Sequence, residues 1–401
     1  MSAARTIDGK GPSTLTERVV DTMLDRGLPA GGLEITWPRG GSTTYEGREP
    51  GPHARVTLHD HNVARRIARE GSLGLAESYM AGEWDTPDLR AVLDLGAAGM
   101  TAGGMDGANR RAGFLDRLTH ALRFNSRRGS KRNIAAHYDL GNDFYRLWLD
   151  DTMTYSAACF EEDCSDLAEA QHRKWDRILE IADPDSRSNL LEIGCGWGGF
   201  AIHAAKQAGC RVTGVTLSQE QHDFAKARVA EEGLEDRIEI RLQDYRDVSE
   251  TYDRLVSIEM FEAVGEKYWP VFFKRVRELM KAGGAAALQT ITIPEARFEA
   301  YRSGPDFIQR YIFPGGMLPS PERFDKAARD AGLATDEPRF IGDSYARTLD
   351  TWLQRFDAAH PEVRALGFDE RFIRMWRFYL AFCRAGFSYR TIDVMQVGLR
   401  P

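Results

Sequence analysis

Apolar residues recur at helical spacing in the first third of the chain, on either side of one stretch that alternates like a strand. Leu15–Arg26 and Val63–Tyr79 both carry apolar residues three and four positions apart, which predicts two amphipathic helices. Between them, Leu33–Tyr45 alternates apolar and polar positions around a Pro-Arg-Gly-Gly turn, which predicts a β-hairpin. The small, glycine-rich segment Gly96–Gly107 then indicates a boundary between two parts of the chain.

Beyond about Lys131, short apolar runs alternate with helical stretches. The runs predict strands at Asn189–Ile193, Arg211–Thr216, Ile238–Gln243, Tyr252–Ile258 and Ala285–Ile293, with helices near 198–208, 218–232 and 266–281. Such alternation is typical of a parallel sheet with helices on both faces. A long insertion at 294–338 and an aromatic-rich helix at Asp369–Phe387 precede a last strand at Asp393–Leu399. We therefore predict an α/β, Rossmann-like domain over residues 131–401, behind a smaller α+β domain over residues 1–130.

Composition narrows the class of protein. The 401 residues are 42% apolar and 28% charged, the mixture of a soluble protein large enough for two domains. No run of about 20 apolar residues is present, and the first residues lack the apolar core of a secretory signal. The five cysteines show no metal-ligand spacing and are expected to be reduced thiols, which predicts a cytoplasmic protein. A net charge of -7 argues against a general nucleic-acid partner.

One basic stretch departs from the acidic average. Residues 110–132 hold eight arginines and lysines against one acid, Asp116, with Leu115, Leu118 and Leu122 on one side. Such a pattern suits anionic lipid headgroups, although a solvated linker would have the same composition. We expect this stretch to associate the N-terminal domain with the inner face of a membrane.

A glycine-rich turn follows the first strand of the second part. The run Leu190-Leu191-Glu192-Ile193-Gly194-Cys195-Gly196-Trp197-Gly198 brings backbone close to a ligand at a strand end. The next strand ends in Thr216-Leu217-Ser218, without the acidic residue that a nicotinamide ribose requires. Tyr245 follows the third strand, where an adenine contact would lie. These features favour S-adenosylmethionine over a dinucleotide, and hence a class I methyltransferase sheet.

Further motifs occur in a fixed order along nearly the whole chain. They are Asn133–Tyr145, Tyr155-Ser156, Thr216–Gln221, Met260–Gly265, Tyr311–Gly316, Tyr345–Leu349 and Tyr379–Cys383, with Ala76–Trp84 in the N-terminal part. In this arrangement the chain resembles the cyclopropane-fatty-acyl-phospholipid synthase family. The resemblance implies an enzyme that transfers the methyl group of S-adenosylmethionine to the cis double bond of unsaturated acyl chains in membrane phospholipids, forming a cyclopropane fatty acid.

The same resemblance implies site residues. Cofactor contacts would fall on Tyr155, Ser156, Gly194, Gly196, Thr216, Leu217, Gln221 and Tyr245. A bicarbonate ion would accept the departing proton, held by Glu262, Tyr345 and Cys383 with backbone groups near Ala157 and Ile291. Gln289 joins this catalytic set at a position where many bacterial members carry histidine. Glutamine can donate a hydrogen bond to the anion but cannot relay a proton.

Without the resemblance, the role of each of these residues has several possible interpretations. Glu262 follows the fourth strand on the ligand side, where it can orient a proton acceptor, act as one, or satisfy a helix dipole. Glu259 competes with it, lies nearer the strand end and could touch the cofactor instead. Cys383 lies in an apolar helix, where an inert buried thiol is the default. Tyr311 and Phe313 stand out among the aromatics because they lie in a Pro-Gly-Gly loop.

Three alternatives to cyclopropane formation remain at this point. The carbocation could lose its proton without ring closure, giving a methyl- or methylene-branched fatty acid. The protein could methylate a small molecule or a nucleic acid, although acidic charge and the aromatic-rich insertion speak against nucleic acid. It could also be a non-catalytic lipid-binding protein that kept the fold, and a homodimer is left open as its assembly state.

Overall fold

The computed structural model describes residues 4–101, 140–161 and 164–401, and the N-terminal part of this region forms a five-stranded sheet. Its strands are β1 (Ala4–Asp8), β2 (Ala30–Thr36), β3 (Ser42–Glu46), β4 (Glu49–Leu58) and β5 (Trp84–Asp85), in the order β1-β3-β2-β4-β5. Its helices are α1 (Leu15–Gly27), α2 (Asn62–Glu70), α3 (Ser72–Met80) and α4 (Leu89–Thr101). Strands β2 and β3 pair antiparallel, which confirms the predicted hairpin.

Two predictions in this part need correction. The single helix predicted over Val63–Tyr79 is broken into α2 and α3 at Gly71, whose φ of 59° and ψ of -132° cannot continue a helix. The segment Gly96–Gly107, predicted to be flexible, is helical up to Thr101, where α4 ends. The predicted domain border near residue 130, the basic stretch 110–132 and most of the motif that begins at Asn133 lie outside the described residues.

The second sheet has eight strands and matches the predicted α/β architecture. They are β6 (Asn189–Ile193), β7 (Arg211–Thr216), β8 (Ile238–Leu242), β9 (Tyr252–Ile258), β10 (Met280–Thr292), β11 (Ala334–Thr335), β12 (Arg339–Phe340) and β13 (Asp393–Arg400). The main order is β11-β13-β10-β9-β6-β7-β8. Strands β6 to β10 are parallel, whereas β13 runs antiparallel to β10. The carboxyl ends of the parallel strands therefore meet at one edge of the sheet.

Helices cover both faces of this sheet. They are α5 (Asn142–Arg146), α6 (Leu167–Ala182), α7 (Gly199–Gln207), α8 (Gln219–Glu231), α9 (Trp269–Leu279), α10 (Glu295–Arg302), α11 (Pro321–Asp330), α12 (Gly342–Ala358), α13 (His360–Ala365) and α14 (Glu370–Ser388). Leu190 packs with α6, α7 and α8, while its neighbour Leu191 packs with α9 and α11 on the opposite face. The two-residue alternation of a strand thus places adjacent apolar side chains in separate cores.

The N-terminal part packs against α14. One apolar cluster joins Tyr79 and Trp84 to the aromatic residues of α12 and α14, including Trp352 and Trp376. Arg374 strengthens this junction by donating to the carbonyls of Tyr79 at 2.5 Å and Trp84 at 2.7 Å. Because α14 also carries Tyr379 and Cys383, the N-terminal part supports a helix of the candidate site. Across the described residues, every helix is too short or too polar to cross a bilayer.

Candidate active site

The glycine-rich turn follows directly after β6, and its backbone adopts a conformation that glycine favours. Gly194 and Gly196 have φ values of 87° and 50°, a conformation that side chains disfavour. The backbone nitrogens of Gly194 and Cys195 donate to the carbonyl of Val215 at 3.0 and 3.1 Å, which ties the turn to the end of β7. A Cβ atom at Gly196 would meet nothing within 4 Å. The turn therefore presents unobstructed backbone to a ligand at the carboxyl edge of the sheet.

The neighbouring strand end supplies neutral polar groups. The hydroxyl of Thr216 donates to the amide oxygen of Gln221 at 2.9 Å, and the Ser218 hydroxyl accepts from the Gln221 backbone at 3.3 Å. The Ser218 bond caps the N-terminus of α8. Tyr245 follows β8 on the same edge, where burial raises the pKa of its phenol to about 12. Thr216, Gln221 and Tyr245 are uncharged, and the ion pair of Asp244 and Arg246 lies on either side of Tyr245 along the chain.

The loop before α6 forms the opposite side of the candidate site. The hydroxyls of Tyr155 and Tyr379 lie 2.6 Å apart. The ammonium group of Lys174 donates to the Ser156 hydroxyl at 2.7 Å, and Gln171 donates to the Ser156 carbonyl at 3.0 Å. Sequence reasoning missed Lys174 and Gln171, although both are polar residues on the apolar face of α6. Burial lowers the pKa of Lys174 to about 8, while the negative charge of Glu259 and other carboxylates opposes the shift.

Glu259 lies at the centre of the predicted catalytic residues. Its carboxylate accepts from the Ala157 backbone at 2.8 Å, the Gln289 amide at 2.7 Å and the Tyr345 hydroxyl at 2.9 Å. The amide oxygen of Gln289 in turn accepts from Gln396 at 2.8 Å, which fixes its orientation. Burial raises the pKa of Glu259, and the three donors and the charge of Lys174 oppose that rise. Three of the groups expected around a bicarbonate ion, namely Tyr345, Gln289 and the Ala157 backbone, thus donate to a side chain of the protein.

Glu262 lies beside Ile291, one of the backbone groups that the resemblance places around the anion. Its carboxylate accepts from the Thr290 hydroxyl at 2.9 Å and from the backbone nitrogen of Ile291 on β10. Its second oxygen is buried and has no hydrogen-bond partner among the described residues. Burial, followed by the negative charge of Glu259, raises the pKa of Glu262 to about 8. Glu262 therefore holds a proton at neutral pH and acts as a neutral group.

Cys383 is partly buried on α14, and burial raises the pKa of its thiol. The thiol lies close enough to Tyr345 and Tyr379 to influence the pKa values of both phenols. No hydrogen bond joins it to Glu259 in the region that the structure describes. Its role in an anion site stays a prediction, and its chemistry is that of an inert thiol.

Aromatic rings line the space between these groups. Tyr155 lies 5.4 Å, between ring centroids, from both Trp148 and Trp352, and Trp352 lies 6.0 Å from Tyr345. Phe313 approaches Tyr379 at 6.3 Å. Tyr311 behaves differently, because its hydroxyl donates to Glu77 of the N-terminal part at 2.6 Å. Of the two loop aromatics, Phe313 therefore borders the site and Tyr311 joins the two parts of the chain.

Replacing Glu262 with glutamine should change how stability depends on pH. The folded protein keeps the Glu262 proton between its usual pKa of about 4.5 and the raised value of about 8, whereas the unfolded chain releases it. The stabilising contribution is thus complete below about pH 4.5 and is lost as the pH rises to about 8. The melting temperature of Glu262→Gln, relative to wild type, should become more favourable from pH 5 to pH 8.

Thermal unfolding across this pH range, followed by circular dichroism, measures the difference. Glu322→Gln, at an exposed position in the first turn of α11, is the matched control and should show a constant difference. A constant difference for Glu262→Gln as well would contradict the raised pKa.

Comparison with known proteins identifies the family of this chain. Residues 125–397 match the family described as mycolic acid cyclopropane synthetase. The chain belongs to this family. Tuberculostearic acid methyltransferase UfaA1 of Mycobacterium tuberculosis is 44% identical over 347 residues, which are 83% of this chain and 80% of that protein. The cyclopropane-fatty-acyl-phospholipid synthase of Escherichia coli K12 is 36% identical over 348 residues, or 86% and 87% of the two chains.

A solved member of this cyclopropane synthetase family has the same core. The crystal structure of mycolic acid cyclopropane synthase CmaA1 complexed with SAH and CTAB is 34% identical, with a TM-score of 0.64. It covers 68% of this chain and 98% of its own. The predicted class I methyltransferase fold, S-adenosylmethionine as cofactor and the C-methyltransferase class are therefore confirmed.

Proposed function

We propose that this protein transfers the methyl group of S-adenosylmethionine to the cis double bond of unsaturated acyl chains in membrane phospholipids, forming a cyclopropane fatty acid. The proposal rests on three features that lie close together in the structure. An open glycine turn, a shell of aromatic rings and a buried carboxylate, Glu259, meet at the same edge of the sheet. The Escherichia coli relative, whose name states this activity, supports the substrate and product.

The residues around the glycine turn fit the cofactor. Gly196 offers backbone that no side chain covers, and Thr216, Gln221 and Tyr245 beside the turn are uncharged. We infer that the cofactor is held by Tyr155, Ser156, Gly194, Gly196, Thr216, Leu217, Gln221 and Tyr245. When bound, it supplies a methyl group on a sulfonium, which is reactive enough for a weak nucleophile such as an alkene.

The aromatic shell suits the intermediate of this reaction. Methyl addition to an alkene leaves a carbocation, which water would trap as an alcohol. Tyr155, Trp352 and Tyr379 are held in a packed cluster in which water has little room. The faces of such rings also attract positive charge, worth about 0.5–2 kcal/mol for each well-placed ring. The shell thereby excludes water and stabilises the cation until a proton leaves.

A second candidate is C-methylation without ring closure. The relative named as a tuberculostearic acid methyltransferase is 44% identical to this chain, against 36% for the cyclopropane synthase. Gln289, which cannot relay a proton, is compatible with this outcome too. Both products would arise from the same cation. In one product the electrons of the lost C–H bond close the cyclopropane ring, and in the other they form a double bond.

Incubation with methyl-labelled S-adenosylmethionine and vesicles of cis-unsaturated phosphatidylethanolamine and phosphatidylglycerol tests the proposal. Label should enter the acyl chains, and proton NMR of the released fatty acids should show a cyclopropane ring. Vesicles of fully saturated lipid are the matched control and should take up no label. An exocyclic methylene or branched methyl signal would favour the second candidate, and cofactor binding without acyl labelling would leave a lipid-binding protein.

Access to the substrate remains a prediction. We infer that the protein works on the cytoplasmic face of the membrane as a peripheral protein, with the basic stretch 110–132 against anionic headgroups. Assembly as a homodimer is likewise a prediction.

A further inference from the structure

We propose that Glu259 is the proton acceptor of the reaction, and that its carboxylate replaces bicarbonate as the catalytic base. The inference rests on the proposed function, because it concerns the proton that leaves after methyl transfer. It assigns a catalytic role to a residue outside the set that the resemblance implies, and it makes the reaction independent of dissolved bicarbonate.

The donors around Glu259 leave little capacity for a second anion. Both carboxylate oxygens are engaged: Oε1 accepts from the Ala157 backbone and the Gln289 amide, and Oε2 accepts from the Tyr345 hydroxyl. A bicarbonate held by Tyr345 and Gln289 would have to displace this carboxylate. The negative charge that Glu259 brings would also repel another anion in a poorly solvated site.

The backbone of Glu259 adopts a conformation that is unfavourable for most residues. Glu259 has a φ of 51°, and non-glycine residues in this left-handed region are uncommon and often mark functional sites. The conformation follows directly after β9, where the Glu259 nitrogen donates to the Gln289 carbonyl at 2.8 Å. The Cβ of a side chain at Gly194 would lie 3.0 Å from Met260, the residue after Glu259. The residue that follows Glu259 therefore packs against the cofactor turn.

Nearby charges suit Glu259 better than Glu262 for the role of base. Burial raises the pKa of Glu259, and three donors together with the positive charge of Lys174 oppose that rise. Glu262 bonds to Thr290 and Ile291 on β10, and it feels the repulsion of Glu259. The positive charge of Lys174 thus favours Glu259 over Glu262 as the group that accepts the proton.

The step balances in atoms and electrons. The alkene electron pair forms the new C–C bond as the C–S bond breaks, and sulfur keeps the electrons of the broken bond. Glu259 then accepts a proton from the added methyl group. The electrons of that C–H bond form the third bond of the ring, and Glu259 becomes a neutral carboxylic acid. It returns the proton to solvent before the next turnover.

Wild-type enzyme and two variants test the proposal. In buffer stripped of carbon dioxide, wild-type enzyme should methylate unsaturated vesicles as fast as after bicarbonate is added back. Glu259→Gln should lower kcat by about 100-fold or more, the usual loss with a general base, while the dissociation constant for S-adenosylmethionine stays within about three-fold. Glu259→Gly relieves the positive φ and empties the donor set, so added bicarbonate should raise its rate.

The matched control is Glu239→Gln, an exposed carboxylate on β8 that pairs with Arg241 at 2.6 Å and should keep the wild-type kcat. Calorimetric titration with S-adenosylmethionine shows in each variant that the cofactor site is folded. A wild-type rate that falls without bicarbonate and recovers with it would overturn the proposal, as would a wild-type kcat in Glu259→Gln. If wild-type enzyme methylates no acyl chain in either buffer, the proposed function itself fails.

Discussion

Replacing Lys174 with methionine should lower the free energy of unfolding by about 2 kcal/mol at pH 7, within the range for losing a hydrogen bond from a charged group. Lys174 is fully buried on α6 and bonds to Ser156. Its charge favours the ionised forms of Glu259 and of Glu192, which burial pushes towards the neutral form. Methionine fills a similar volume but leaves both carboxylates without this compensation.

The loss should grow as the pH rises above about 8. Burial raises the pKa of Glu192 to about 8, and removal of the lysine charge raises it further, so Glu192 is neutral in both proteins at pH 7 and only the variant keeps losing stability above about pH 8. Urea unfolding at pH 7 and pH 9 measures both effects. The matched control is Lys206→Met on α7, an exposed residue paired with Glu232, which should cost less than about 1 kcal/mol at either pH. Equal losses for the two variants would contradict the buried-charge argument.

Replacing Gly196 with valine should weaken binding of S-adenosylmethionine by about 100-fold, or about 2.7 kcal/mol. The φ of 50° is unfavourable for a β-branched residue, and the space beyond Gly196 is open, so the new side chain projects where a ligand would lie. Both effects act on the turn that presents backbone to the cofactor. Isothermal titration calorimetry measures the dissociation constant directly.

Gly233→Val separates backbone strain from ligand contact. Gly233 has a φ of 64° and also meets nothing within 4 Å, but it follows the far end of α8, away from the carboxyl edge of the sheet. Both variants should lose a similar amount of stability, and only Gly196→Val should lose cofactor affinity. Wild-type affinity in Gly196→Val would remove the glycine turn from the cofactor site.

The sheet was predictable to the residue in several places. Strands at Asn189–Ile193, Arg211–Thr216 and Tyr252–Ile258 have the predicted bounds because they are short, apolar and flanked by polar or glycine-containing turns. The break at Gly71 was missed because apolar residues continue at helical spacing on both sides of it. The antiparallel direction of β13 was also invisible, since strand direction depends on the route of the connection and not on the strand's own residues.

Sequence reasoning named Glu262, Gln289 and Tyr345 as neighbours, and two of them do converge. It left the choice between Glu259 and Glu262 open, because the two lie three positions apart after the same strand. Lys174 could have been recognised from the sequence as a polar residue on the inward face of α6. A polar residue at the border between the apolar and polar faces of an ordinary amphipathic helix gives the same pattern, so the signal is not specific. One partner of Gln289, Gln396 on β13, lies 107 positions away along the chain.

The amino-acid sequence by itself determined the α/β fold, the edge of the sheet where the cofactor binds and the family of the protein, because these depend on local periodicity and on ordered motifs. Only the tertiary structure decided which carboxylate receives the donors. The Ala157 backbone lies 102 positions before Glu259, and the Tyr345 hydroxyl lies 86 positions after it. A carboxylate becomes a base or a neutral acid through its burial, its hydrogen bonds and the charges around it, and for Glu259 folding brings these together from distant parts of the chain.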